Sequence, residues 1–284
     1  MKLSPCSLEP SSTKAYQMLF EKCFPTAHHL TETYLNWLYG ANPEGAVVGF
    51  DAFEGDQLAA HYACVPASAI ISGKRQRGLL SLNTATHPDF QGKGLFTKLA
   101  TATYEHAAAN GYSFVYGVAN ANSTPGFIRK LGFTLVTPLD ARVGLGRLSV
   151  DNWQQITENA GFHRDWSDEA FKWRISNPAN PVTAGKTRDG NVSLECSSQK
   201  TPLIRAYGEN WLPDVNVTDK ASLSPVAKVF IGLFPAGVRP YKTYVSIPQR
   251  FRPSVLNLIF RDLVGSSSID ASSVVLNFLD FDAF

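Results

Sequence analysis

The chain is 284 residues long, which at about 150 residues per domain predicts two domains. Apolar residues make up 44%, charged residues 18%, and 26 basic residues face 24 acidic ones. This composition excludes a disordered chain, and so even a balance gives no electrostatic reason to expect nucleic acid or an anionic membrane as partner. No apolar run reaches the roughly 18 residues of a membrane span, and the N-terminus MKLSPCSLEPSST has no apolar stretch of signal-peptide length. Cys6, Cys23, Cys64 and Cys196 are far apart and form no C-x-x-C, so reduced thiols in a cytoplasmic protein are expected.

Tyr16, Leu19, Phe20 and Cys23 fall at helical spacing, and Pro25 ends that helix. Thr31 opens a second short helix that stops before Asn42-Pro43. AVVGFDAF and LAAHYACVPASAII, split by Glu54-Gly55-Asp56-Gln57, read as a β-hairpin. GKRQRG (73–78) reads as a polar turn and LLSLNTATH (79–87) as the next strand, closed by Pro88. A long helix runs from Gly94 to the stop signal Asn110-Gly111. YSFVYGVA (112–119) has the continuous apolar character of a buried strand. Ser123-Thr124-Pro125 starts a short helix, and Gly132-Phe133 leads into another strand. This order predicts a mixed α/β fold with a partly parallel sheet. Polar text around 150–165 places a domain boundary near residue 150.

The second half echoes the first. Leu35-Asn36-Trp37 with Asn42-Pro43 recurs as Phe171-Lys172-Trp173 with Asn177-Pro178. Further on, YKTYVSIP, VLNLIFRDL and SSVVLNFLDF read as strand, helix and strand. Pro248 then falls on Pro88, and Val255, Leu256 and Ile259 fall on Leu95, Phe96 and Leu99. An internal repeat of roughly a hundred residues or a little more is the economical reading. Trp37 and Trp173, at equivalent helix ends, are expected to pack at a helix–sheet junction.

The stretch that carries chemistry is His87-Pro88-Asp89-Phe90-Gln91-Gly92-Lys93-Gly94-Leu95-Phe96, between a strand and a helix N-terminus. Glycines let backbone N–H groups approach a ligand closely, and a helix N-terminus adds free donors and partial positive charge. Together they make an anion cradle suited to a diphosphate, with Lys93 at its rim. The competing reading is a glycine turn with no ligand. Two other phosphate loops are excluded: there is no G-x-x-x-x-G-K-[ST], and no G-x-G-x-x-G with an acidic residue about 20 positions on.

Gln91-x-x-Gly94-x-Phe96 after a strand, a long helix, an apolar strand, Asn122-Ser123, and a short helix ending Lys130-Leu131-Gly132-Phe133 resemble the GNAT superfamily of acyl-CoA-dependent N-acyltransferases. The resemblance covers about residues 1–145. It implies a GNAT fold over 1–150, and the internal repeat then makes 151–284 a degenerate GNAT-like half that walls an acceptor cleft. It implies acetyl-CoA or another acyl-CoA as co-substrate, no metal, and a small amine acceptor. The donor would meet Thr86, His87, Gln91, Gly92, Lys93, Gly94, Leu95, Phe96, Thr97, Asn122, Ser123 and Phe127. The phrase THPDFQGKGLFTKLA also resembles a bacterial subgroup containing sugar-nucleotide N-acyltransferases, which suggests a nucleotide-linked amino sugar as acceptor. Two departures stand out. The last small residue of the loop motif is Phe96 here. The family's proton-donating tyrosine is replaced by Ile128 beside Phe127, and neither can donate a proton. Tyr62, Tyr104 and Tyr116 are the available stand-ins.

The expected chemistry is attack of a neutral amine on a thioester. It needs a base, and a donor for the oxyanion. By the resemblance that donor is a backbone N–H near Thr86. His61, on the neighbouring strand, could titrate near neutrality and is the candidate base, or a structural histidine. His87 lines the donor pocket, caps the strand or acts as base. Asn83 and Thr86 are candidate polar contacts. Asp280 and Asp282 alternate along a predicted strand and face the cleft or solvent. Adjacent His28 and His29 point apart, and no cluster has metal-ligand spacing. In the second half, Pro248-Gln249-Arg250-Phe251-Arg252-Pro253-Ser254 replaces the cradle text, so one donor site per chain is expected. Arg250 and Arg252 are solvated or meet a sugar-nucleotide phosphate. Two competing functions follow: a non-catalytic acyl-CoA-binding module, and a Fem-type aminoacyl transferase using charged tRNA, which the intact loop and near-neutral charge disfavour. The low charge fraction is compatible with a homodimer.

Overall fold

Period-three and -four spacing around Tyr16, Leu19 and Phe20 forms α1 (Pro10–Cys23), and Thr31 caps α2 (Glu32–Gly40) by accepting the Tyr34 N–H. In this computed structural model, which describes residues 1–148, 150–198, 202–222, 224–238, 242–265 and 267–282, β1 (Lys2–Pro5) precedes them. The Gly55 turn joins β2 (Val48–Glu54) to β3 (Gln57–Ile71). Ser72 and Gly73, at φ 49° and 74°, form a two-residue turn into β4 (Lys74–Thr86). Positive φ at both positions matches the twist of a tight hairpin. Lys74–Gly78 therefore continue a strand and are not the expected polar turn.

The first half continues through α3 (Leu95–Ala109), β5 (Phe114–Asn120), α4 (Thr124–Leu131), β6 (Thr134–Pro138) and β7 (Asp140–Gly144). The second comprises α5 (Trp153–Glu158), β8 (Phe162–Arg164), α6 (Asp168–Ile175), β9 (Thr183–Lys186), β10 (Val192–Ser197), β11 (Ile204–Asn210), β12 (Ala227–Gly232), β13 (Tyr244–Ser246) and β14 (Leu256–Asp262).

These strands make two mixed sheets. The first runs β1-β2-β3-β4-β5-β14-β6, with β8 also on β3, and the second runs β13-β7-β12-β11-β10-β9. The two have one plan. A hairpin (β2–β3; β9–β10) adjoins a strand (β4; β11) that pairs parallel with the next (β5; β12). An antiparallel strand then enters between that strand and the edge: β14 between β5 and β6, and β7 between β12 and β13. Each half thus gives its last strand to the other half's sheet. Two sheets of one plan are what the resemblance to a tandem GNAT fold with a degenerate second half implies. The sheets do not divide at residue 150, because β7 before it joins the second sheet while β8 and β14 after it join the first.

Three expectations are corrected. Val255–Leu263 does not form a helix; β14 occupies Leu256–Asp262. Its apolar run is short enough to suit either element, and pairing on both sides decides for strand. The repeat alignment through Pro248 therefore shifts: β13–β14 corresponds to β6–β7, and the counterpart of the cradle is the β11–β12 connection. Among the described residues that connection contains no helix. Phe278–Asp280 is a short 3-10 turn rather than a strand.

α1 and α2 cover one face of the first sheet and α3 and α4 the other. On β3, Ala63, Val65 and Ala67 face one apolar cluster while Tyr62 and Cys64 face the other. Burial on both faces explains its unbroken apolar text.

Candidate active site

β4 and β5 pair only from Gly78–Phe114 to Ser81–Gly117 and then part. Just beyond, the β3–β4 register slips, and Asn83 is the extra residue, at φ 44°. Asn tolerates this left-handed conformation better than most residues. The edge of β4 from Leu82 to Thr86 is thereby freed from β5.

Past Thr86, a 3-10 turn (Pro88–Phe90) leads to Gly92 and Gly94, at φ 75° and 72°. Gly94 precedes α3 with no side-chain cap, and the first bond into the helix is Lys98 N–H to Gly94 O. Among the described residues the amides of Gly92, Lys93, Gly94, Leu95, Phe96 and Thr97 have no hydrogen-bond partner. A Cβ at Gly92 or Gly94 would meet nothing within 4 Å, so conformation, not crowding, calls for glycine. A cleft of about 240 Å³ lies against these donors. Thr86, Gln91, Gly92, Gly94, Leu95, Phe96 and Thr97 line it, with Phe90 and Lys130. Free amides, a helix N-terminus and the Lys130 ammonium suit a diphosphate. Two larger clefts, about 430 and 550 Å³, lie along the second sheet and include none of these groups.

The remaining candidates sit elsewhere. The Phe96 ring turns inward, edge-on to Phe127 at 5.3 Å, leaving the backbone of the first helical turn open. Phe127 is buried beneath it, also against Phe133. Asn122 and Ser123 donate their amides to Asn120 Oδ1 at the start of α4 and do not line the cleft. The Lys93 ammonium lies over the Phe90 ring. His87 is buried and caps the 3-10 turn, its Nδ1 accepting from the Asp89 N–H at 3.2 Å.

His61 is fully enclosed. Its Nδ1 lies 2.6 Å from Asp51 Oδ1 and its Nε2 2.9 Å from the Tyr39 hydroxyl, so it cannot touch an acceptor directly. Cys6 joins this group, and one ligand-type atom each of Cys6, Asp51 and His61 lies within 4.8 Å of the others. The 2.6 Å contact is a hydrogen-bond distance; ligands around a tetrahedral zinc stand about 3.3 Å apart. Burial also pushes the Cys6 thiol up, away from the thiolate a metal prefers.

None of the three tyrosine stand-ins reaches the cleft. Tyr62 and Tyr104 share a 2.5 Å hydroxyl contact in the core, and burial raises both well above the ordinary phenol range. Tyr116 donates to the Asp280 carbonyl. Asp280 and Asp282 face neither cleft nor open solvent as a strand pair. Asp280 is buried, accepting from the Trp166 indole and the Asn277 amide, and burial raises its pKa. Asp282 meets Tyr34 and Arg174. Arg252 donates to the Ile247 carbonyl, and Arg250 packs on Phe251. Sequence reasoning missed Lys130 as a cleft residue although its motif was noted. It also missed Tyr39 and Asp51, which carry no local signal.

Residues 7–136 match the family described as acetyltransferase (GNAT) domain. Among solved structures, a conserved protein from Enterococcus faecalis V583, described as a candidate N-acyltransferase, is similar at TM-score 0.63 and 12% identity, over 92% of this chain and 72% of that one. A GCN5-related N-acetyltransferase from Anabaena variabilis ATCC 29413 is similar at 0.62 and 11%, over 92% and 73%. Eis1 from Mycobacterium abscessus is similar at 0.57 and 12%, over 93% and 74%. No curated protein sequence matches.

Proposed function

We propose, for a chain that belongs to the GNAT superfamily through residues 7–136 and is an acyl-CoA-dependent N-acyltransferase, that the turn between β4 and α3 grips the donor diphosphate and that the acyl group passes to the primary amine of a small acceptor. The observation that carries this reading is the unpartnered amide run from Gly92 to Thr97, on a cleft beyond the point where β4 and β5 part.

The amine nitrogen attacks the thioester carbonyl carbon and a C–N bond forms. Backbone N–H groups on the freed edge of β4, near Thr86, suit the oxyanion. Collapse breaks the C–S bond. The thiolate, with a pKa of about 8.5, leaves without a strong acid, which fits the absence of a tyrosine at Ile128. The amine proton passes to solvent, from which the thiolate takes one. Residues 1–150 supply this site, and 151–284, exchanging strands with them, wall the acceptor cleft. An amino sugar on a nucleotide is the acceptor class to which THPDFQGKGLFTKLA points. Four unpaired thiols fit a cytoplasmic setting.

The test is thiol release from acetyl-CoA and longer acyl-CoAs against a panel of amino-sugar nucleotides and simple amines, with the amide product identified by mass. Release that depends on the amine supports the reading. Acyl-CoA binding without turnover across the panel would favour a non-catalytic binding module.

A further inference from the structure

The strand bulge and the core beneath it are joined by one hydrogen-bond chain, whose direction follows from its end groups when the His61 imidazole is neutral. It starts at Tyr16. The Tyr16 oxygen accepts the Ser7 N–H at 2.9 Å, so its own proton goes to Asp51 Oδ2, 2.6 Å away. The other Asp51 oxygen lies 2.6 Å from His61 Nδ1 and must receive a proton from it. A neutral imidazole with its proton on Nδ1 leaves Nε2 bare, and Nε2 takes the Tyr39 hydroxyl proton at 2.9 Å. With that proton spent, the phenol oxygen can only accept from Asn83, whose Nδ2 lies 3.1 Å away. Every link but the last is buried: Tyr16, Asp51, His61 and Tyr39 are all 2% exposed or less.

The consequence appears at the far end. An amide has one donating and one accepting end. If Tyr39 demands the donor, Asn83 Oδ1 must point the other way. Among the described residues it has no partner. Asn83 is also the half-buried bulge residue where β4 leaves β5. Resting on the transferase reading, we infer that Asn83 Oδ1 accepts an N–H of the attacking amine and so aims its lone pair. Tyr39, His61 and Asp51 are positioning residues that hold the amide in that orientation. The acceptor class this selects is a neutral amine with an N–H to spare. A tertiary amine, which has no N–H to donate, would gain no orientation from the contact.

Two measurements test this. The first needs no acceptor. In the protein labelled with 15N-histidine, the His61 imidazole, assigned by its loss in His61→Gln, is expected as the neutral Nδ1–H tautomer. An Nε2–H tautomer or an imidazolium near neutral pH would overturn the proposal, because the chain would then run the other way. The second uses acetyl-CoA with n-butylamine. Tyr39→Phe and Asn83→Ala should each lower kcat about 10- to 100-fold, the scale of a misplaced reacting group, with KM for acetyl-CoA within about twofold. The double variant should be no slower than either single one, since Tyr39 acts through Asn83. Multiplying losses, or an unchanged kcat in Tyr39→Phe, would contradict it. Absence of turnover in the unaltered protein with n-butylamine and with every amine of the panel would count against the transferase reading instead, and the tautomer alone would then judge the chain.

Discussion

Trp37 and Trp173, 136 positions apart, each donate an indole N–H to the other's backbone carbonyl, at 3.1 and 3.0 Å, while their rings stack at 5.2 Å. This reciprocity is what two copies of one element produce when they meet across a local two-fold axis. α2 and α6 end at that meeting point, and the strand plan repeats on either side. The indoles are a seam between duplicated halves rather than platforms for a ligand.

Removing one partner should therefore be felt by the other. Trp37→Phe and Trp173→Phe should each cost about 2 kcal/mol, a hydrogen bond plus part of the ring contact. The double variant should cost about 1 kcal/mol less than the sum, read from urea denaturation.

Strand exchange predicts that the first half does not stand alone. A fragment of residues 1–150 lacks β14, so β5 and β6 lose the strand between them. It should show no cooperative thermal transition and should aggregate through those edges. Adding residues 151–284 in trans should recover the native circular dichroism.

Gly94 tests the cradle. A Cβ meets no atom within 4 Å there, but a branched residue must adopt φ near 72°, which costs about 1–2 kcal/mol. Gly94→Val should fold with a slightly lower melting temperature and lose at least about tenfold in affinity for coenzyme A by calorimetry, through displaced amides.

Glu44 gives a pH dependence. Its carboxylate receives the Arg164 guanidinium at 2.9 Å and the Ser68 N–H at 2.7 Å. Burial works to raise its pKa, but these partners outweigh burial and hold it below the usual 4.5. A depressed folded pKa contributes stability above the unfolded value, and that stability is lost as pH falls through the folded one. Glu44→Gln should cost about 3 kcal/mol near neutral pH, and its deficit against the unaltered protein should shrink below the usual glutamate pKa, in urea titrations at both pH values.

How much of this was legible in the sequence follows from locality. The Gly55 turn, the Thr31 cap, the glycine approach to α3 and the stop at Asn110 are written in a few adjacent residues, and the chain adopts them. The matched tryptophans also reported the duplication correctly. What escaped was non-local. Nothing within Leu256–Asp262 says that it will pair with β5 and β6, over a hundred residues earlier, so its apolar run passed for a helix. The chain from Asp51 to Asn83 escaped for the same reason. Its members lie on β2, β3, α2 and β4, and Asp51 reads as the polar residue of an alternating strand until its buried partners are seen.

The claim on which the rest depends is that main-chain donors at the start of α3 hold the donor's diphosphate. A crystal structure with coenzyme A tests it most directly. The account predicts diphosphate oxygens within hydrogen-bond distance of amides between Gly92 and Thr97, with the pantetheine arm running between β4 and β5. Coenzyme A bound in one of the clefts along the second sheet, with those amides facing only solvent, would contradict it.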